Sequence, residues 1–466
     1  MVHLSVVDSC LVASYVAALL FIGVRASRRS RKGIADFILA SRTLTLPMFV
    51  ATLVSTWYGG ILGVGEFSYR YGLSNWVVFG LPYYAFALVF ALFLAPKVRA
   101  TNLYTIPDKL EQSYGRPTAI VGGFLTFILI TPAAYVLMLG ILVQLMFGVN
   151  LTLAVVLTTF LATCYLWAGG FRSDVWTNAF EFILMFLGFI VMVVAACLKF
   201  GGYSFLESHL PSTHLTWNGG NSWQFILVWF FIALWTLVDP AFHQRCYAAR
   251  DGATARNGIL VSIGFWFFFD FMTTTTGLYA RAAIPSLSQP MFSYPVLAEL
   301  TLPVVAKGLF FVGMIATIMS SLSSLTLISA ITVGKDIVGR LSRSPDREGT
   351  VDRWTKIGLI LSGLFSIVLA LAVPSVVSIW YTIGTCIVPG LLVPILAGYT
   401  KRFTIPAPFA MAAMLSGWAL STASFLYGRI HTVDGAPGYF LSVEPMYPGL
   451  CAALLIWCVA LARRRR

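Results

Sequence analysis

The length and spacing of the apolar stretches constrain this chain most. From residue 4 to residue 462 they follow one another at about 20 residues or more apiece, the length of helix that crosses a hydrocarbon layer of roughly 30 Å. They do not alternate polar with apolar, as the strands of a membrane barrel would. With 58% hydrophobic and 11% charged residues and a mean hydropathy of +0.84, the chain lacks the polar surface that a soluble globule needs. The sequence therefore predicts an all-α integral membrane protein of about thirteen spans, at 4–24, 45–69, 74–95, 117–147, 150–168, 173–198, 222–247, 257–283, 304–334, 355–374, 376–399, 404–427 and 446–462.

A net charge of +13 would suggest nucleic acid in a soluble protein, but here the basic residues sit in short loops beside the spans, where topology accounts for them. With the N-terminus outside, all 31 Lys and Arg except Arg70, Lys199, Arg281, Lys307 and Arg429 fall on the inner side. That asymmetry predicts an odd number of spans, an inside C-terminus and a multi-pass protein of the plasma (inner) membrane. The first span is expected to be a retained helix rather than a signal peptide, because its basic cluster follows the apolar run. The outside loops at 201–221, 284–303 and 429–445 are rich in Ser, Pro and Gly and too short for a domain, so no soluble catalytic domain is expected. The seven cysteines are scattered without metal or disulfide spacing and read as small core residues.

Helix interruptions are where transporters hold solutes and ions. In the second span Ser55, Thr56, Trp57, Tyr58, Gly59 and Gly60 are followed by Gly63, Gly65 and Glu66. Glycines there allow the backbone to unwind and free carbonyls for a cation, although small residues also serve close helix packing. Glu66 is a carboxylate that such packing leaves unexplained. In the seventh span Trp235, Thr236, Asp239, Pro240, His243 and Arg245 stand within an apolar run. Pro240 removes a helix hydrogen bond and predicts a break just before it. Asp239 reads either as a functional intramembrane carboxylate or as the structural partner of Arg245.

These breaks occupy matching places. They divide the chain into a leading helix with a basic loop (1–44), a first five-helix unit (45–200), an outside loop (201–221), a second five-helix unit (222–400) and two trailing helices with a basic tail (401–466). Five is the odd number that sets two related repeats in opposite orientation. In the ninth span Thr317, Ser320, Ser321 and Ser324 fall at i, i+3, i+4 and i+7, a face of hydroxyls. Hydroxyls joined by freed carbonyls suit a hard cation; equally, Ser and Thr bond back to their own helix.

Five further stretches stand in register with this topology: Phe37 to Arg42, Thr105 to Asp108, Gly169 to Phe171 with Trp176 to Asn178, Gln244-Arg245 with Ala248-Ala249, and Ala316 to Ser321. Together they resemble the sodium:solute symporter family, which includes proline, sugar, pantothenate and choline symporters. The resemblance covers nearly the whole chain. It implies a five-plus-five inverted-repeat core with one leading and two trailing helices, and alternating access to sodium and solute bound midway. It also implies a sodium site made of the backbone oxygens of Ser55 and Tyr58, the carbonyl of Thr317 and the side chains of Ser320 and Ser321. The solute is then expected against Trp57, Gly59 and Gly60 of one break and Trp235, Thr236 and Asp239 of the other.

Departures from the family pattern matter. Where several relatives carry an aspartate that serves a second sodium, this chain has Asn178, which implies one sodium per cycle; Glu181 and Asp174 share that helical face. Glu66, Asn178, Glu181 and Arg245 are therefore the expected gating or coupling residues. The surroundings of Trp57 to Gly60 resemble the choline branch, and an aromatic wall beside Asp239 or Glu66 would suit an ammonium group. The expected function is sodium-coupled import of a small organic solute of amino-acid, ammonium or carboxylate type. The expected partners are sodium, that solute and the lipid bilayer, without nucleic acid, organic cofactor or any metal besides sodium. The sequence leaves the oligomeric state open, a monomer being one reading. Proton coupling through Asp239, His243 and Glu181 is the alternative within transport. A transporter-like sensor and a membrane enzyme lack, respectively, a fused signalling domain and any nucleophile or metal spacing.

Overall fold

The computed structural model describes residues 2–28, 33–342, 347–373, 375–433 and 436–464. Of the basic residues used to orient the chain, Arg29, Arg31, Lys32, Arg343, Arg465 and Arg466 lie outside the described residues. Helices dominate the described chain, and its strands form one hairpin of two residues each, Thr432–Val433 with Ala436–Pro437. Among the described residues eleven helices are long and apolar enough to cross a membrane, and the bent pair Leu46–Trp57 and Ile61–Tyr71 makes a twelfth. The segment expected to span 150–168 is a shorter helix, Leu151–Cys164, of about 21 Å at 1.5 Å per residue. It stops early because the chain turns at Tyr165 and kinks again at Gly170 (φ 50°, ψ −137°), where a side chain would press on the backbone oxygen of Phe37.

Five segments between residues 46 and 200 and five between 223 and 398 build an inverted-repeat core, and the first segment of each five is broken. The first broken helix bends by 60° between Trp57 and Ile61. The second runs through Trp223–Ile232 and the short turn Trp235–Val238, then restarts as Pro240–Ala248. Asp239 between them is extended (φ −67°, ψ 119°). Pro240 takes the first helical position, where its missing N–H costs nothing. A third interruption was not expected: the long segment Arg116–Phe147 is split between Leu129 and Ala133 at Thr131-Pro132.

The serine-bearing helix Ala306–Leu341 lies at the centre and is almost wholly buried. Its start is held by the leading helix Val6–Ser27. Asp8, itself in a reciprocal cap with Ser5, accepts the backbone N–H groups of Val305 and Gly308 at 2.9 Å each. Along its length the serine helix meets Gly169–Phe200 backbone to backbone. A Cβ on Gly313 would stand 2.9 Å from the Leu184 carbonyl oxygen and 3.1 Å from the Gly188 Cα.

This contact predicts a matched pair of outcomes. Gly313→Ala forces two backbones apart and is expected to destabilise by roughly 1–3 kcal/mol. Gly264→Ala, on a helix face with nothing within 4 Å, is expected to be neutral or slightly stabilising. Thermal unfolding of the purified variants in detergent checks both; equal midpoints would contradict the packing.

Candidate functional site

The first half of the first broken helix ends at Tyr58, whose N–H bonds back to Val54. The carbonyls of Ser55 and Thr56 therefore lie in a last turn without intrahelical donors. The serine helix supplies donors instead. Ser320 Oγ donates to the Ser55 carbonyl at 2.9 Å and lies 3.0 Å from the Thr317 carbonyl. Ser321 Oγ donates to the Thr56 carbonyl and lies 3.5 Å from that of Ser55. Ser55, Thr317, Ser320 and Ser321 are all fully buried. The approach is possible because Gly59 presents no side chain; a Cβ there would overlap Ser321, and one on Gly60 would overlap Trp380. These glycines thus serve room rather than a left-handed backbone, since Gly60 has φ −74°. Thr317 turns its own hydroxyl to the Gly313 carbonyl at 2.6 Å, so its carbonyl is what it offers to the cluster. The Tyr58 side chain runs the other way, to Asp270 and to Thr273 at 2.8 Å.

Beside this oxygen cluster a cavity opens between the two breaks, lined by Trp57, Gly60, Trp235 and Asp239 together with Tyr83, Thr131, Tyr135, Asp270 and Trp380. Gly59 and Thr236 are not part of its lining: Gly59 backs onto Ser321, and Thr236 is fully buried. Asp239 caps the restarted helix, accepting the N–H groups of Ala241 at 2.7 Å and Phe242 at 3.1 Å. Its negative charge thus sits at a helix N-terminus. Asp270 belongs to the helix Gly252–Ala283 and accepts hydroxyls from Tyr58 and Tyr84. Sequence reasoning missed it, although it is the sole carboxylate in an apolar span, the same signal that drew attention to Asp239. Thr131 was missed likewise, and the signal was Pro132 beside it.

Arg245 corrects the pairing weighed for Asp239. It reaches into the protein interior and pairs with Asp174 at 3.3 Å, both fully buried. The same Nη2 donates to Thr56 Oγ1 and Ser324 Oγ at 2.8 Å each. Asn178 donates to Ser324 Oγ at 2.9 Å and Thr56 Oγ1 at 3.3 Å. Asp239 is instead taken up at the start of the same half-helix, where it accepts the N–H groups of Ala241 and Phe242. Glu181 is fully buried and accepts the Tyr15 hydroxyl at 2.7 Å. Glu66 lies outside the cavity lining; it pairs with Arg70 one turn away at 3.0 Å and is partly exposed. His243 is buried, with its ring nitrogens 3.2 Å from the Tyr399 hydroxyl and the Leu237 carbonyl.

The chain is similar to known proteins over most of its length. The sodium/pantothenate symporter of Escherichia coli is 24% identical over 473 residues, which cover 96% of this chain and 94% of that protein. High-affinity choline transporter 1 of Drosophila melanogaster is 23% identical over 390 residues, 78% of this chain and 62% of the transporter's length. Among solved structures, a substrate-bound, outward-open Na+-coupled sialic acid symporter superposes with a TM-score of 0.81 at 17% identity, over 98% of both chains. The nucleobase-cation-symport-1 family transporter Mhp1, closed with bromovinylhydantoin bound, follows with a TM-score of 0.60 at 12% identity, over 92% of this chain and 95% of its own. At these identities the likeness shows the fold alone. Residues 37–417, which contain both breaks and the serine helix, match the sodium:solute symporter family, and the chain belongs to that family of multi-pass membrane transporters.

Proposed function

We propose that the protein is a sodium-driven importer of a small organic cation, one that carries an ammonium group. The observation that carries the solute class is the charge of the cavity: among the described residues its charged lining is Asp239 and Asp270, set among Trp57, Tyr83, Tyr135, Trp235 and Trp380, with no Lys, Arg or His. Aromatic faces attract a desolvated cation by about 2 kcal/mol, and two carboxylates add a field of the same sign. A carboxylate solute would meet that field without a countercharge.

Sodium coupling is supported by the family and by the neutral oxygens that Ser55, Thr56, Thr317, Ser320 and Ser321 bring together, the donor type that hard cations take. An interior-negative potential drives each positive charge with about 2.3 kcal/mol per 100 mV. One sodium with one monovalent cation therefore gains about 4.6 kcal/mol per 100 mV. The placement of the basic loops supports an N-terminus outside in a plasma or inner membrane, and an interior-negative potential that draws both cations inward supports import. Proton coupling is the second reading, favoured by Glu181, whose second carboxylate oxygen has no hydrogen-bond partner among the described residues.

The test is uptake into proteoliposomes of a panel containing choline, a primary amine, proline, pantothenate and glucose, under an imposed sodium or proton gradient. The expected result is sodium-driven accumulation of the ammonium compounds. Accumulation driven by protons in sodium-free medium, or confined to glucose or pantothenate, contradicts the proposal. Ser320→Ala with Ser321→Ala is expected to raise the sodium concentration for half-maximal uptake tenfold or more, about 1.4 kcal/mol; an unchanged sodium dependence removes these hydroxyls from the site. Asp270→Asn is expected to weaken solute half-saturation by tenfold or more while sodium binding persists. An unchanged value would place the solute elsewhere.

A further inference from the structure

One turn of the chain gathers basic residues that no carboxylate answers. The helix Val376–Gly398, which carries the cavity residue Trp380, runs into the turn 399–406, and the first trailing helix, Ala407–Ile430, starts from it. Lys401 and Arg402 stand exposed on that turn, and Arg463 and Arg464 stand exposed at the end of the last helix, Met446–Arg464. Lys97 reaches the Thr400 hydroxyl at 3.4 Å, and Lys109 Nζ lies 5.3 Å from the centre of the Tyr399 ring. Among the described residues none of these six forms an ion pair. The nearby acids are taken: Asp108 pairs with Lys335 and Arg340, and Glu111 with Arg340. Beyond Arg353 the sequence holds two more, Asp434 and Glu444. Asp434 lies outside the described residues, and Glu444 accepts the Tyr381 hydroxyl at the opposite end of the trailing helices.

The cluster is held in place by bonds that leave its charge intact. Arg464 Nη1 donates to the carbonyls of Lys401 at 3.0 Å and Thr404 at 2.6 Å, and Trp457 Nε1 donates to the Phe403 carbonyl at 3.0 Å. These bonds fasten the end of the last helix to the turn and set Arg464 beside Lys401. The guanidinium carbons of Arg402 and Arg463 lie 5.9 Å and 5.7 Å from the ring centres of Phe403 and Phe409. Carbonyls and ring faces orient a cation without neutralising it. Topology asks only that basic residues flank a span; it does not account for their being tied to one another. A partner for this cluster is anionic, and it meets apolar surface as well, because Phe403 on the turn and Leu455 and Val459 on the last helix are exposed beside it. An acidic phospholipid offers both, a phosphodiester whose oxygens match the guanidinium fork and acyl chains for the apolar flank.

Tyr399 connects the turn to the interior. Its hydroxyl lies 2.7 Å from that of Tyr247 and 3.2 Å from His243 Nδ1, both on Pro240–Ala248, the half-helix that Asp239 caps. We propose that the turn 399–406 and the end of the last helix form a binding site for the headgroup of an anionic phospholipid, and that the bound lipid steadies the half-helix beside Asp239 through Tyr399. The site stands on its own geometry, whereas the link through Tyr399 rests on the transport reading.

The experiment mixes the purified full-length chain in detergent with equimolar phosphatidylglycerol and phosphatidylcholine of matched acyl chains, and native mass spectrometry counts the lipid retained. Wild type is expected to prefer phosphatidylglycerol by about tenfold or more, with or without excess inorganic phosphate. Lys401→Gln, Arg402→Gln, Arg463→Gln and Arg464→Gln combined are expected to bring the two lipids to parity. Arg256→Gln with Arg353→Gln, which removes two exposed charges elsewhere, is expected to leave the preference intact. Should the combined variant fail to fold, Lys401→Gln with Arg402→Gln replaces it, with a clear loss of preference expected. Equal retention in wild type, displacement by inorganic phosphate, an undiminished preference in the turn variants, or the same loss in the Arg256 and Arg353 variant overturns the site. For the link, sodium-driven uptake is compared in phosphatidylcholine vesicles with and without phosphatidylglycerol. Wild type is expected to be stimulated about fivefold or more, and Tyr399→Phe to keep the lipid preference and lose the stimulation. No stimulation in wild type, or equal stimulation in Tyr399→Phe, overturns the link. Absence of sodium-driven uptake in both vesicles overturns the transport reading instead, which separates the failures.

Discussion

An interrupted helix leaves carbonyl oxygens that no helical N–H can reach, and inside a membrane no water is at hand to satisfy them. In this protein those oxygens belong to Ser55 and Thr56, and the hydroxyls of Ser320 and Ser321 meet them. Much of the fold makes that meeting possible. Gly59 lets the serine helix approach, the Gly313–Gly188 contact seats it against its neighbour, and Asp8 anchors its start. A hydroxyl that donates to a carbonyl can rotate and present its oxygen alongside that carbonyl to an ion. Under the proposed sodium coupling, this packing contact is also the coordination shell.

The buried carboxylates divide according to how each is held. Asp174 is paired with a guanidinium, and its charge is neutralised inside the protein. Asp239 and Asp270 are held by backbone amides and by tyrosine hydroxyls respectively. Such partners stabilise a carboxylate without cancelling its charge, so its field still reaches the cavity. This difference in partners, rather than the number of acidic residues, gives the cavity its sign and separates a charge neutralised in the interior from two that face the cavity.

What was legible in the sequence was what depends on local pattern. Apolar length marked the spans, Pro240 marked the second break, and the helical spacing of Thr317, Ser320, Ser321 and Ser324 marked the face that turns toward Ser55. The break at Thr131-Pro132 obeyed the same rule and was readable from Pro132. Asp270 was readable as an intramembrane carboxylate, though nothing local said that it would face the same space as Asp239. The partner of Arg245 was not legible at all. Asp239 is six residues away and Asp174 is 71, and only the packing of four helices decides between them. Glu66 stood out as an acidic residue among glycines, and what the sequence did not show is that it lies outside the cavity lining and pairs with Arg70 one turn on. The inverted repeat left no residue-level trace, because two five-helix units can share a path while each side chain answers to its own neighbours.

The central claim is that freed carbonyls of the first broken helix and the hydroxyls of the serine helix together hold a sodium ion. A high-resolution experimental structure of the protein in sodium, compared with one in a large organic cation such as N-methylglucamine, tests it most directly. The account predicts sodium-dependent density bounded by the Ser55 and Thr317 carbonyls and the Ser320 and Ser321 hydroxyls. Identical density in the two conditions, or an ion bound away from those oxygens, would contradict it.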